Sequence, residues 1–201
     1  MTTLVLATRN TGKLREMQQL VAQESRLSDI QIVSVSEFPD VDDVVETGVT
    51  FEENALLKAR AVSSGTGLPA VADDSGLAVD VLGGCPGVFS ARWSGRHGAD
   101  QANIDLLLAQ TADVAAERLS ARFICCVALA MPDGSTRVHS GELAGTLTRR
   151  ARGDNGFGYD PIFQLPGGRT LAQLTNDEKN AISHRGQALR ALGPDLAGVL
   201  T

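Results

Sequence analysis

A chain of 201 residues, 43% of them hydrophobic, is long enough for one domain with a real core, or for two closely packed lobes. Its formal net charge of −6 argues against a surface built to hold long nucleic acid, while a local cluster of cations could still hold a small anion. The longest apolar runs, such as 123–131, fall far short of a membrane span, and the opening residues do not read as a secretory leader. The three cysteines, Cys85, Cys125 and Cys126, are an odd count with no zinc-like Cys/His spacing. They are expected to be reduced, mostly buried thiols in a cytoplasmic protein, with the adjacent pair pointing to opposite faces of a strand.

Along the chain, "TLVLA" at 3–7 reads as a short strand. It feeds "TRNTGK", and then a helical stripe of Leu14, Met17, Leu20 and Val21. A helix opening at Thr11-Gly12-Lys13 offers backbone N–H groups and a lysine to a phosphate, though it is not a Walker A loop, because Leu14 follows the lysine. An ordinary strand–helix turn with a solvated lysine is the other reading. A second strand is expected near 31–35. Thr50-Phe51-Glu52-Glu53 is a capping box, and it starts a helix to about Ser63 with Phe51, Ala55, Ala59 and Val62 on its apolar face. Asn54 and Lys58 share another face of that helix, downstream of Glu46. Lys58 can then reach a phosphate or stay solvated.

"LPAVA" at 68–72 is expected to be a strand that ends at Asp73 and Asp74. In extended backbone the two acids point to opposite sides. One would face a ligand, and the other would be held by backbone N–H groups in an Asp-Ser-Gly turn. Glu46 and one of these aspartates would suit Mg²⁺, which takes one or two carboxylates plus waters and substrate phosphates. Further on, 98–112 reads as a helix, and 122–131 as a fully buried strand. Pro132-Asp133-Gly134 is a turn, and 135–147 is the returning strand of a hairpin. In "GFGYDPIF", Phe157 and Tyr159 lie among glycines where a flat ring can be approached, and Phe163 reads as core. Stacking of an aromatic ring on a base is worth roughly 1–3 kcal/mol. Lys179, His184 and Arg185 bring donors near the start of a last helix, expected over 180–192 and stopped by Gly193-Pro194. Arginine can pair with the O6 and N7 acceptors of a 6-keto purine, where adenine presents an amino donor instead. The alternation of strands and helices around a central hairpin predicts an α/β fold: a mixed sheet with flanking helices.

The segments "LATRNTGKLREM", "ETGVTFEENALLKA", "ADDSGLAVDVLGGCPGVFSARWSG", "GFGYDPIF" and "EKNAISHRGQAL" follow in order over nearly the whole chain. With them the sequence resembles the inosine/xanthosine triphosphate pyrophosphatases, house-cleaning enzymes that remove deaminated purine nucleotides. The resemblance implies hydrolysis of ITP, dITP and XTP to the monophosphate and pyrophosphate, with Mg²⁺, by a homodimer. It also implies an elongated α/β domain over residues 1–201, with two lobes around a central cleft. Carried over residue by residue, Thr8, Arg9, Asn10, Thr11, Gly12 and Lys13 would form the substrate loop. Glu46 and Asp74 would hold the metal, Asp74 would also be the general base, and Ser75 would touch the substrate. Phe157, Gly158, Tyr159 and Asp160 would line the base pocket, and Lys179, His184 and Arg185 would complete base recognition. Lys58 joins Lys13 in neutralising the triphosphate. Arg9 either narrows the phosphate loop or points outward. A nucleotide-sugar or pyrimidine triphosphate pyrophosphatase, or a non-catalytic nucleotide sensor, is the competing reading.

Overall fold

In the computed structural model, which describes residues 2–23, 27 and 29–200 without the side chains of Thr11, Glu16, Leu20, Gln23 and Leu200, the first apolar run forms β1 (Thr2–Leu6). Helix α1 (Thr11–Gln23) returns the chain to β2 (Ile30–Ser34), which pairs with β1 in parallel from Thr2 opposite Ile30 to Leu6 opposite Ser34. Then come α2 (Phe51–Thr66), β3 (Ala70–Val79) and α3 (Asp100–Gln110). The hairpin strands β4 (Ser120–Ala130) and β5 (Thr136–Leu147) follow, and the last elements are β6 (Phe163–Gln164), α4 (Asn176–Ile182) and α5 (His184–Leu200). The strands form one six-stranded mixed sheet in the order β2-β1-β3-β4-β5-β6, with β1 and β3 parallel and β5 and β6 antiparallel. This is the expected α/β class. No helix among the described residues is long and apolar enough to cross a membrane.

The chain divides into two compact units, one of Met1–Asp74, Cys125–Gly141 and Arg185–Thr201, the other of Ser75–Ile124 and Glu142–His184. In the first, the side-chain alternation of a strand sorts the core onto two faces. Leu4, Leu6 and Val71 pack with Met17 and Val21 of α1, with Cys125, Val127 and Leu129 of β4, and with Ala188, Leu189, Leu192 and Leu196 of α5. The intervening Val5 joins Val33 and Val62, while Ala55 and Ala59 of α2 meet Ala72, Ala128 and Ala130. Small residues at both sides of that last contact let α2 lie close to the sheet. The Thr50 capping box forms as expected: the Thr50 hydroxyl accepts from the Glu53 N–H at 3.1 Å and Glu53 accepts from the Thr50 N–H at 3.3 Å. The core of the second unit gathers Leu77, Val79, Ile104, Leu107, Phe123, Tyr159, Ile162 and Phe163.

Several expectations are corrected. The strand thought to end at the two acids runs on through Ser75 and Gly76 to Val79, because Leu77, Ala78 and Val79 are themselves buried in it. The strand 122–131 is not buried throughout: β4 alternates until Cys126, with Arg122 exposed and paired to Asp80, and is buried continuously only from Val127 to Ala130. The last helix is two helices, since Ser183 is extended (ψ 144°) between α4 and α5. Gly193-Pro194 does not stop α5. Proline forfeits one helical hydrogen bond, but Leu192 and Leu196 are fully buried on either side of it and carry the helix across. Phe51 is only half-buried, and Cys85 is exposed, while Cys125 and Cys126 point to opposite faces as expected.

Candidate active site

Strand alternation decides what each aspartate meets. Asp73 has the parity of Val71 and projects among α1 and α5. There the Lys13 ammonium donates to both carboxylate oxygens, at 2.9 and 2.8 Å, and the Arg185 Nε donates to Oδ2 at 3.2 Å. Burial pushes the Asp73 carboxyl up, but the charges of Lys13 and Arg185 together outweigh it and hold the group well below the usual carboxylate range. The expected backbone cradle in an Asp-Ser-Gly turn is therefore replaced by two cationic side chains within an unbroken strand. On the same face, burial, with Asp73 adding to it, pushes the Cys125 thiol far up, so it stays protonated and is no nucleophile.

Asp74 has the parity of Ala72 and projects toward α2. Its Oδ2 accepts from the Asn54 amide at 3.0 Å, and its Oδ1 lies 3.7 Å from the Lys58 ammonium. The same ammonium donates to Glu46 Oε1 at 2.6 Å. Two carboxylates from separate segments thus converge on one cation, held by residues four apart on α2. Among the described residues no group of three or more His, Cys, Asp or Glu side chains is arranged for a metal. Two carboxylate groups are, however, what Mg²⁺ takes when phosphates and water complete its shell, so the pair fits that ion.

The loop before α1 is self-capped. The Thr8 hydroxyl accepts from the Asn10 N–H at 3.1 Å, and Asn10 Oδ1 accepts from the N–H groups of Gly12 at 2.8 Å and Lys13 at 3.3 Å. Two of the N–H groups expected to await a phosphate are thus engaged by the Asn10 side chain. Arg9 turns outward, donating to Asp43 at 2.9 Å and to the Val41 carbonyl at 3.2 Å. The side chain of Thr11 lies outside the described part of the structure.

In the second unit, Gly156 adopts φ 84°, which turns the chain so that Asp160 accepts from the Phe157 N–H at 2.9 Å. Lys179 reaches the same Asp160 oxygen at 2.6 Å and lies 4.8 Å from the centroid of the Phe157 ring. Phe157 is 67% exposed, so one aromatic face is presented for stacking. Tyr159 is placed differently from an open platform: it is buried, and its hydroxyl donates to the Ser90 carbonyl at 3.0 Å. Burial, then the charge of Asp100, pushes its phenol far up. His184 stacks on Phe123, 5.1 Å between ring centroids, which commits one face of the imidazole to packing. The Gly158 N–H donates to Asp100 at 2.8 Å, and Ser75 sits part-buried in β3.

Glu46 and Asp74, named from the sequence as metal ligands, lie together with Lys58, named for the phosphates, and Phe157 and Asp160, named for the base pocket, lie together with Lys179, named for base recognition. Sequence reasoning missed the contact of Asn54 with Asp74 and that of Asp100 with Gly158. Asn54 had a signal, its shared helix face with Lys58, whereas nothing local connects Asp100 to a residue 58 positions away.

A model of the Ham1 family matches residues 4–194. A dITP/XTP pyrophosphatase of Streptomyces coelicolor is 60% identical, covering 96% of each chain, and one of Nocardia farcinica is 52% identical, covering 99% of this chain and 97% of its own. Among solved structures, a HAM1 protein from Coxiella burnetii superposes with a TM-score of 0.90 at 44% identity, covering 99% of this chain and all of that one. A nucleoside-triphosphatase, dITP/XTP pyrophosphatase, from Mycobacterium abscessus gives 0.82 at 50% identity, covering 96% of this chain and all of that one. The order of strands, the acids of β3 and the near-complete coverage leave one assignment: the chain belongs to the Ham1 family.

Proposed function

We propose that this protein hydrolyses deaminated purine nucleoside triphosphates, ITP, dITP and XTP, to the monophosphate and pyrophosphate. The observation that carries the reading is the convergence of Glu46 and Asp74 on Lys58, with Lys13 held on the other face of the same strand by Asp73. A site with two carboxylates and two lysines binds a polyanion productively when a metal joins it. Relatives that carry the name dITP/XTP pyrophosphatase along nearly their full length support the substrate class.

Mg²⁺ held by Glu46 and Asp74 would supply neutralisation of the phosphate oxygens. The chain's own groups do the rest. Lys13 and Lys58 exchange their present carboxylate partners for phosphate oxygens. Asp74 orients the attacking water and takes its proton as oxygen bonds to the α-phosphorus. The bond to the β-phosphate oxygen breaks, and pyrophosphate leaves. The resemblance assigns base recognition to Phe157, Lys179 and Arg185: an exposed aromatic ring can stack on a base, and side chains that carry only donors suit an O6 acceptor and repel the amino group of adenine. The resemblance adds a homodimer in the cytoplasm, which sedimentation and fractionation would test.

Gly156→Ala probes the base end. A Cβ there would lie 2.0 Å from Asp160 Oδ2 on a backbone of positive φ, so Asp160 must let go of Lys179 or of the Phe157 N–H. With the Phe157 stacking lost, worth roughly 1–3 kcal/mol, KM for ITP should rise about tenfold while kcat changes less. The decisive test of the function is a panel of ITP, dITP, XTP, ATP, GTP and UTP with and without Mg²⁺, separating pyrophosphate from orthophosphate. Pyrophosphate from the deaminated purines, only with Mg²⁺, is expected. Equal turnover of ATP, release of orthophosphate, or binding without turnover would overturn it.

A further inference from the structure

We infer that Asn54 is a positioning residue that sets which oxygen of Asp74 works. The inference rests on the reading of Asp74 as the reacting carboxylate. Asn54 is fully buried on α2, and both ends of its amide are used. The Gly48 N–H, which can only donate, points at one end at 2.8 Å, so that end must be the carbonyl oxygen. The amide nitrogen is then left to donate to Asp74 Oδ2 at 3.0 Å. The orientation of the amide is therefore fixed by chemistry, and with it the roles of the two Asp74 oxygens. Oδ2 is held by a neutral donor, and Oδ1 is turned to the side where Lys58 and Glu46 meet.

The same amide ties Asp74 to the loop that carries Glu46. Gly48 lies two residues beyond Glu46, and a Cβ on Gly48 would come within 2.6 Å of Asn54 Oδ1, so the backbone approaches the amide as closely as a glycine allows. One buried side chain thus registers Glu46 and Asp74, from separate segments, against each other. A carboxylate whose one oxygen is held cannot swing, and its remaining oxygen meets a water or a ligand in one direction only, the kind of preorganisation that fixed neighbours supply.

Two variants separate this role from folding. Asn54→Leu keeps the branched skeleton and removes both hydrogen bonds, while Asn54→Asp keeps the acceptor for Gly48 and sets a second carboxyl against Asp74 Oδ2 in place of the amide donor. Both are expected to lower kcat for ITP by roughly 10- to 100-fold, the usual cost of losing the partner of a working ligand, with KM changed less than about threefold. A second readout needs no turnover: the side-chain amide proton signals of Asn54 in nuclear magnetic resonance should shift when Asp74 is replaced by alanine. Wild-type kcat in Asn54→Leu or Asn54→Asp, or Asn54 signals indifferent to Asp74→Ala, would overturn the positioning role. Asp74→Asn is assayed beside them. If it is inactive while the Asn54 variants are fully active, the positioning role alone falls; if it is active, the reading of Asp74 falls and this inference with it.

Discussion

Asp74→Asn should lower kcat for ITP by roughly 10² to 10⁴, the contribution of a positioned general base, and leave the protein folded. The reason for expecting an intact fold is local. Asparagine keeps an oxygen to accept from the Asn54 amide, the 3.0 Å contact that orients position 74. Lys58 loses a charge partner at 3.7 Å but keeps Glu46 at 2.6 Å, so no cation is stranded. What asparagine cannot do is take a proton from water or offer a metal an anionic oxygen. Substrate affinity should fall far less than turnover, because Lys13, Lys58 and the base-end residues are unchanged. Steady-state kinetics with ITP, binding of a non-hydrolysable analogue and a thermal melt together check this. A kcat within a few-fold of wild type would remove Asp74 from the reaction, while loss of turnover together with a collapsed melt would recast it as structural.

How far these features were legible in the sequence depends on the range of the interaction that creates them. The Thr50 capping box, the strand–loop–helix opening and the turn at Pro132-Asp133-Gly134 are set within a few residues, and they form as read. The opposite orientations of Asp73 and Asp74 follow from strand periodicity alone, and they were legible too. The continuation of β3 past those acids was not. Two adjacent carboxylates read as a strand end because local chemistry offers them only a turn. In the fold they are met by Lys13 and Arg185, distant by 60 and 112 positions, and by Asn54. Pro194 misled for the same reason: the buried Leu192 and Leu196 that hold α5 together owe their environment to strands far away in sequence. Tyr159 read as a platform because glycines flank it, whereas its hydroxyl finds the Ser90 carbonyl 69 positions away and the ring goes inside. Local signals specify elements and parity. Which charged or aromatic group lies opposite is decided by the sheet.

The second large effect belongs to the other aspartate, and it is one of stability. Asp73→Asn should cost about 3–5 kcal/mol, the penalty for removing one partner from a buried ionic cluster. Asp73 is 8% exposed, and its partners Lys13 and Arg185 have side chains 26% and 13% exposed, so both cations would lose a shared anion in a largely desolvated setting. For a chain of this size each kcal/mol lowers the melting temperature by roughly 2–4 °C, which puts the expected drop at about 6–20 °C. Salt gives a way to tell this cluster from an ordinary surface pair. The Arg9–Asp43 pair has side chains 46% and 86% exposed and should be worth no more than about 1 kcal/mol, fading as salt is raised. The loss from Asp73→Asn should persist at high salt, because its charges are screened little. The two cations also sit on different helices, Lys13 on α1 and Arg185 on α5, so the carboxylate ties α1 to α5. Removing Lys13 along with Asp73 should therefore restore part of the stability, since one stranded charge disappears. Urea unfolding of Asp73→Asn, Lys13→Met and the double variant reads this directly. If the double variant loses the full sum of the two single losses, the three side chains are not one charge cluster, and the stabilising role of Asp73 is lost with it.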